Sequence, residues 1–278
     1  QKISANKIAE EMVGTSFSSP KKSNIKKGKE CLQINNLSFQ PSDPFGIPIK
    51  NLNLKLHHGE IIGIGGVAGN GQEEFLSLLS GELKPSNGSL FFNDEDITKL
   101  NVVERRNKGL LSAPEERLGH AAVPAMSLTE NCLITAEHRM KLSKRGLIDY
   151  RISKNLSDRI IKNLDVRTGG SNALARSLSG GNLQKFVIGR ELIQNPKIFI
   201  VNQPTWGVDA AAASSIRQQI LDLAKEGTGI IVISQDLDEL LEISDVFCAL
   251  VGGQLSSPEM TNKLNPTRLG MLISNSTE

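Results

Sequence analysis

Ile61-Ile62-Gly63-Ile64-Gly65-Gly66-Val67-Ala68-Gly69-Asn70-Gly71-Gln72-Glu73-Glu74-Phe75 is the stretch that decides the fold. An apolar run passes into glycines, and Phe75, Leu78, Leu79 and Leu83 then recur at helical spacing. Strand, glycine loop and helix therefore follow in the order a phosphate-binding unit needs. Gly66 and Gly71 fit the spacing G-x-x-x-x-G, with Gly69 between them. In a working loop a Lys reaches the outer phosphates and a Ser or Thr ligates magnesium. Gln72 and Glu73 stand at those positions. The backbone cradle is expected to persist without its charge. Read more plainly, Glu73 and Glu74 are acidic residues in a first helical turn, where they complement the helix dipole.

Working outward, Leu52, Leu54 and Leu56 alternate with Asn53 and Lys55 ahead of the loop, which predicts strands feeding it. Downstream, the spacing predicts strands at Leu90–Phe92, Leu110–Leu111, Ile198–Val201, Gly229–Ser234 and Val246–Val251. Helices are expected near Val102–Lys108, Ala210–Lys225 and Asp236–Ile243, and the stretch from Met126 to Asn195 reads as mostly helical. Strands alternating with helices predict a largely parallel α/β core. The long insertion before Pro196 should form a lobe of its own.

Composition narrows the partners. The 32 basic and 30 acidic residues leave a net charge of +2, and one Trp and one Tyr offer few stacking platforms. Both features argue against nucleic acid. Cys31, Cys132 and Cys248 match neither a zinc spacing nor a disulfide framework and read as buried thiols. No apolar run reaches the ~20 residues of a membrane-spanning helix, so any membrane link should pass through a partner. The chain begins at Gln1, and residues 1–29, with a short amphipathic piece at 8–14 and lysines at 21, 22, 26, 27 and 29, read as a linker or hinge from a preceding domain.

Leu178-Ser179-Gly180-Gly181-Asn182-Leu183-Gln184-Lys185 resembles the signature of ABC-transporter ATPase domains, with Asn182 in the usual Gln position. The order of the other segments is similar too: glycine loop, helical lobe, signature, apolar strand with Pro204-Thr205, then Gly207-Val208-Asp209 and Ile233-Ser234-Gln235-Asp236. The resemblance covers residues 31–255. It implies an ABC-type P-loop NTPase fold, with a mixed sheet core, N-terminal antiparallel strands and a helical lobe inserted at about 120–195 of a domain spanning 30–278. It also implies ATP and Mg2+ as cofactors, bound mainly at a partner's site. Asn202 and Gln203 take the places of the family's metal-binding Asp and water-activating Glu, Gln235 that of the switch histidine, and Glu115 that of the Q-loop glutamine. Asp209 falls at the D-loop position, and Phe39 is a candidate for stacking on adenine or else a core aromatic. An amide cannot accept a proton, and losing a general base costs about 10² to 10⁴ in rate.

The damaged positions, together with Pro114-Glu115-Glu116-Arg117-Leu118-Gly119-His120, resemble the second half of tandem ABC ATPases from simple-sugar and nucleoside importers. That resemblance implies a partner ABC half, in the same polypeptide or a second subunit, transmembrane permease subunits, and a peripheral place on the cytoplasmic face of the membrane. Ser179 is expected to cap the helix after it, while Gly180 and Gly181 let backbone N–H groups approach phosphate held by that partner. Two other readings stay open: an active ATPase using Glu115 or Glu73 in place of the lost residues, and a non-transport ABC protein. His57 and His58 are expected to face solvent, and Trp206 either packs against a partner or covers the strand end.

Overall fold

The computed structural model describes residue 22 and residues 27–144 and 146–274. The amphipathic piece expected at 8–14 and most of the lysine-rich tether lie outside the described residues. In chain order the elements are β1 (Glu30–Phe39), β2 (Ile49–His57), β3 (Ile61–Gly65), α1 (Gln72–Ser80), β4 (Asn87–Phe92), β5 (Glu95–Asp96), α2 (Val102–Lys108) and β6 (Leu110–Ala113). Then come α3 (Leu128–Met140), β7 (Ser143–Lys144), β8 (Leu147–Ile148), α4 (Tyr150–Asn163) and α5 (Gly180–Leu192). The chain continues through β9 (Ile198–Asn202), α6 (Ala210–Lys225), β10 (Gly229–Ser234), α7 (Leu237–Ile243), β11 (Val246–Val251), β12 (Gln254–Leu255), β13 (Glu259–Met260) and α8 (Pro266–Ser274).

Two sheets enclose the core. The antiparallel sheet has the order β2-β1-β4-β5, and the second runs β12-β11-β3-β10-β9-β6 with β13 also on β11. In the second sheet β11, β3, β10, β9 and β6 are parallel. Strands covered on both faces need apolar residues throughout, and β3, β9 and β10 are buried at every position. β2 is half-covered, so its leucines point inward while Lys50, Asn51, Asn53 and Lys55 are exposed. Helix α1 lies in the core between the two sheets, where Phe75 and Leu79 pack with Leu32, Leu52 and Ile64. Its C-terminal turn is fastened by the buried Arg105, which donates to the carbonyls of Leu78 at 2.6 Å and Leu79 at 3.0 Å. A cation there suits the negative end of the helix.

On the other face α3, α4 and α5 form the lobe, and α5 continues the chain into β9. The lobe is not wholly helical, since β7 and β8 make a two-stranded ribbon. Strands of two residues are too short to leave a period in the sequence. The lobe is joined to the core by charge: Glu191 of α5, fully buried, meets Arg106 of α2 at 2.5 Å and its neighbour Arg190 at 2.8 Å. Arg190 in turn donates to the carbonyl of Ala121 at 2.8 Å. Burial opposes ionisation of Glu191, yet the two arginines prevail and hold its carboxyl below the ordinary value. The three cysteines are free and buried, and burial pushes each thiol up to about 12. His57 and His58 are half-buried rather than solvent-facing. His57 meets Glu60 at 2.8 Å and His58 the carbonyl of Gly227 at 3.0 Å, because the turn they precede packs against the end of the sheet.

Glu191→Ala strands Arg106 and Arg190, and removing one partner of a buried pair costs about 3 to 5 kcal/mol. A thermal melt at pH 7 should show Tm lowered by roughly 10 °C. A carboxyl held below its usual value contributes stability that is present above its unfolded pKa and lost as pH falls through the folded one. The gap in Tm between variant and wild type should therefore narrow on acidification below about pH 4.3.

Candidate functional site

The parallel strands β3, β9 and β10 end side by side, with Gly65 level with Ser234 and Asn202 level with Ile233. Loops leaving that edge form the floor of a cleft, where ligands bind in open α/β sheets. The glycine loop leaves from β3. Gly66 has no room for a side chain, since a Cβ there would lie 2.4 Å from the carbonyl oxygen of Leu250. Gly71, the N-cap of α1, has φ of 104° and so favours glycine.

The loop is tied by its own amides. Gln72 donates from Nε2 to the carbonyl of Val67 at 2.9 Å and accepts at Oε1 from the N–H of Asn70 at 3.0 Å. Asn70 donates to the same Val67 carbonyl at 2.8 Å and accepts from Gly252 N–H at 2.8 Å. The Gln72 side chain thus folds back across the loop and takes a backbone N–H from it. Glu74 turns away to accept from Ile47 N–H at 3.0 Å, whereas Glu73 is exposed.

A cavity of about 250 Å³ opens beside the loop, lined in part by Gly69, Gln72, Glu73, Glu115, Gln203 and Gln235. Phe45 and Ile47 also line it, and Phe39 does not. Phe39 instead pairs with Ile49 in the antiparallel sheet and packs on the core. Sequence reading did not single out Phe45, which is 90% exposed and carries no periodic signal.

Asn202 is the last residue of β9 and Gln203 follows it, both buried. Asn202 Oδ1 has no hydrogen-bond partner, and Gln203 sits in the left-handed region at φ 52°. Gln203 N–H donates to Ile233 at 2.8 Å, and its Oε1 lies at a long 3.5 Å from both Ser234 Oγ and Gln235 N. Glu239 of α7, which sequence reading missed, accepts from Thr205 Oγ1 at 2.7 Å and Ser234 Oγ at 2.9 Å. Burial raises its carboxyl above the ordinary value. Its place in a helical pattern gave no sign that it would be buried beside β9 and β10. Among the described residues, no cluster of three or more His, Cys, Asp or Glu side chains could hold a metal ion.

The second cluster is the N-terminus of α5. Ser179 is its N-cap by backbone conformation, but the hydroxyl does not cap the helix as expected, because it accepts from Asn182 Nδ2 at 2.8 Å instead. Asn182 also accepts from Arg167 N–H at 2.8 Å. Ser179 and Gly180 are exposed, so the helix presents an open end. Asp209 is the N-cap of α6, accepting from Ala212 N–H at 2.8 Å. Trp206, 62% exposed, belongs to the turn between β9 and α6. A cavity of about 570 Å³ separates the α5 end from the glycine loop, with Gly180, Leu183, Trp206, Glu73 and Glu115 on its walls. The structure therefore brings Gly69, Gly71, Gln72, Glu73, Glu115, Asn202, Gln203 and Gln235 to one cleft, keeps Gly66 buried against Leu250, and sets Ser179, Gly180, Gly181 and Asn182 at the α5 end, across the larger cavity from Glu73.

Residues 49–206 match the protein family described as ABC transporter. The nucleoside import ATP-binding protein NupA of Lactococcus lactis is 34% identical over 270 residues, covering 96% of this chain and 53% of that protein. The galactose/methyl galactoside import ATP-binding protein MglA of Escherichia coli is 35% identical over 258 residues, covering 91% of this chain and 49% of that protein. The chain thus spans about half the length of these relatives. Among solved structures, a dimeric ATP-binding cassette in a post-hydrolysis state with ADP and Pi superposes with a TM-score of 0.70 at 21% identity, covering 84% of this chain and all of that one. A nucleotide-free cassette gives 0.69, also at 21% identity, with 89% and 96% covered.

Glu239→Gln tests the burial of that carboxyl. An acid whose folded pKa is raised stabilises the fold fully below its unfolded value, and that contribution is lost as pH rises through the folded one. Melts should show the glutamine variant gaining stability relative to wild type as pH rises towards 8. The difference should vanish towards pH 4.

Proposed function

The chain belongs to the ABC transporter family, and from that premise we propose that it is a degenerate ATP-binding half whose α5 end completes the nucleotide site of a hydrolysis-competent partner half. One contrast carries the reading. The glycine loop is closed by Gln72 and bordered by the carboxylates of Glu73 and Glu115, while Ser179 and Gly180 stand exposed at an uncapped helix end.

ATP and Mg2+ are the family's cofactors, and the residues of this loop do not fit them. A triphosphate needs a cation and free N–H donors, and here a neutral amide has taken one donor and three acidic residues, Glu73, Glu74 and Glu115, line the cavity. At the α5 end the chemistry is favourable: the first N–H groups of a helix and its positive dipole end attract anionic oxygens, and a serine hydroxyl adds a donor. ATP bound by the partner half would meet these groups when the two halves close.

The domain on this reading covers 30–278, with its helical lobe at about 120–195 and residues 1–29 leading in from a preceding segment. NupA and MglA are named as import proteins for nucleosides and galactosides, which supports a nucleoside or simple sugar as the solute. Among the described residues no helix is long and apolar enough to cross a membrane. Permease subunits would hold the chain at the cytoplasmic face.

Purified alone, the chain should show no Mg-dependent ATP hydrolysis above background in a phosphate-release assay. Assembled with a hydrolysis-competent ABC half, it should support turnover, and Ser179→Arg, which fills the helix end, should lower that turnover at least 100-fold. Hydrolysis by the isolated chain that is lost in Glu115→Gln would instead establish Glu115 as the working base.

A further inference from the structure

Arg117 lies four residues beyond Ala113, the end of β6's hydrogen-bonded register with β9, yet its side chain reaches two other elements. Nε donates to Gln184 Oε1 of α5 at 2.9 Å, and Nη2 donates to the backbone carbonyl of Trp206. The guanidinium lies so close to the helix end that a Cβ on Gly180 would meet Nη1 at 2.8 Å, and one on Gly207 would meet Nη2 at 3.4 Å. Gln184 passes the connection on. Its Nε2 donates to the carbonyls of Gln203 and Pro204 at 3.2 Å each. One planar fork and one buried amide thus connect the loop after β6, the open end of α5, the turn before α6 and the end of β9.

The two bonds from Arg117 have a charged donor and are stronger than neutral ones, and the fork fixes direction as well as distance. A cation beside a helix N-terminus opposes the helix dipole, so stabilising α5 does not account for Arg117 being there. We propose that Arg117 is a positioning residue: acting through Gln184 and the Trp206 carbonyl, it holds Ser179 and Gly180 in the orientation that receives nucleotide from the partner half. The inference rests on the composite-site reading above. It explains how a half whose own loop is closed by Gln72 keeps its α5 end in place without nucleotide of its own.

The expected kinetics follow from population arithmetic. If loss of the strap leaves only a fraction of molecules with α5 in the competent orientation, apparent affinity falls by that fraction, and saturating ligand restores the rate. In the assembly with a hydrolysis-competent half, Arg117→Ala should raise KM for ATP about tenfold, the scale of one charge-assisted hydrogen bond, while kcat stays within about twofold. Arg117→Lys keeps the charge and loses the fork, so it should not rescue KM. Gln184→Met should reproduce the effect, and Arg117→Ala combined with Gln184→Met should be no worse than either alone. An unchanged KM in Arg117→Ala, additive effects in the double variant, or rescue by lysine overturns the inference. Should Arg117→Ala fold poorly, Arg117→Lys and Gln184→Met carry the same test. Ser179→Arg separates the two levels: if it leaves turnover intact the composite-site reading fails, and if it abolishes turnover while the strap variants keep wild-type KM, only this inference fails.

Discussion

A fully buried carboxylate, Glu191, held between Arg106 and Arg190, is the constraint on which the lobe's position depends. Three helices inserted into a parallel-sheet domain could pack against it in many ways through apolar contacts alone, because such contacts are not directional. Charges in a dry interior are different. Each must meet its partner at hydrogen-bond distance or bear its full desolvation cost. Arg106 comes from α2 beside the sheet, Glu191 and Arg190 from α5, and Arg190 reaches the Ala121 carbonyl in the segment leading to α3. The observed placement of α5 satisfies all three.

That placement has a functional consequence at the other end of the same helix. α5 is 13 residues long, or about 20 Å at 1.5 Å per residue, so Glu191 near its C-terminus and Ser179 at its N-terminus are two anchoring points of one rod. Arg117 and Gln184 hold the second point as the ion cluster holds the first. The glycine loop, by contrast, has turned inward. Gln72 satisfies itself on Val67 and Asn70, and a loop whose donors are spent locally has less to offer a ligand.

Much of this was legible in the chain. The continuous apolar runs at β3, β9 and β10 announced buried parallel strands, the alternating leucines of β2 announced a half-covered one, and the strand, loop and helix order around Gly66 and Gly71 located the cleft. Other features were not. The β7 and β8 ribbon is too short to register as a period; of the two readings open for Phe39 the structure shows the core one, and it is Phe45 that lines the cleft. Ser179 looked like a cap, but Asn182, one turn along, competes for its hydroxyl. Arg117 lies in a stretch that carries the family resemblance and Glu239 in an expected helix, yet no role for either side chain was legible there: what makes them notable is reach and burial, neither of which is a property of residue spacing.

The sequence by itself determined residue types at fixed intervals: which strands are covered, where the loop turns, and that Gln72, Asn202, Gln203 and Gln235 are amides without the charge or basicity of Lys, Asp, Glu and His. Those statements follow from covalent chemistry and local periodicity, so no contact is needed to make them. The tertiary structure decided where those amides point and what they meet. It folded Gln72 back on its own loop, left Asn202 Oδ1 without a partner and set Gln203 in the left-handed region. It also brought Arg117 to Gln184 across 67 positions of chain. Pairings over such separations are selected by packing and desolvation in the assembled core, which no short window of sequence contains.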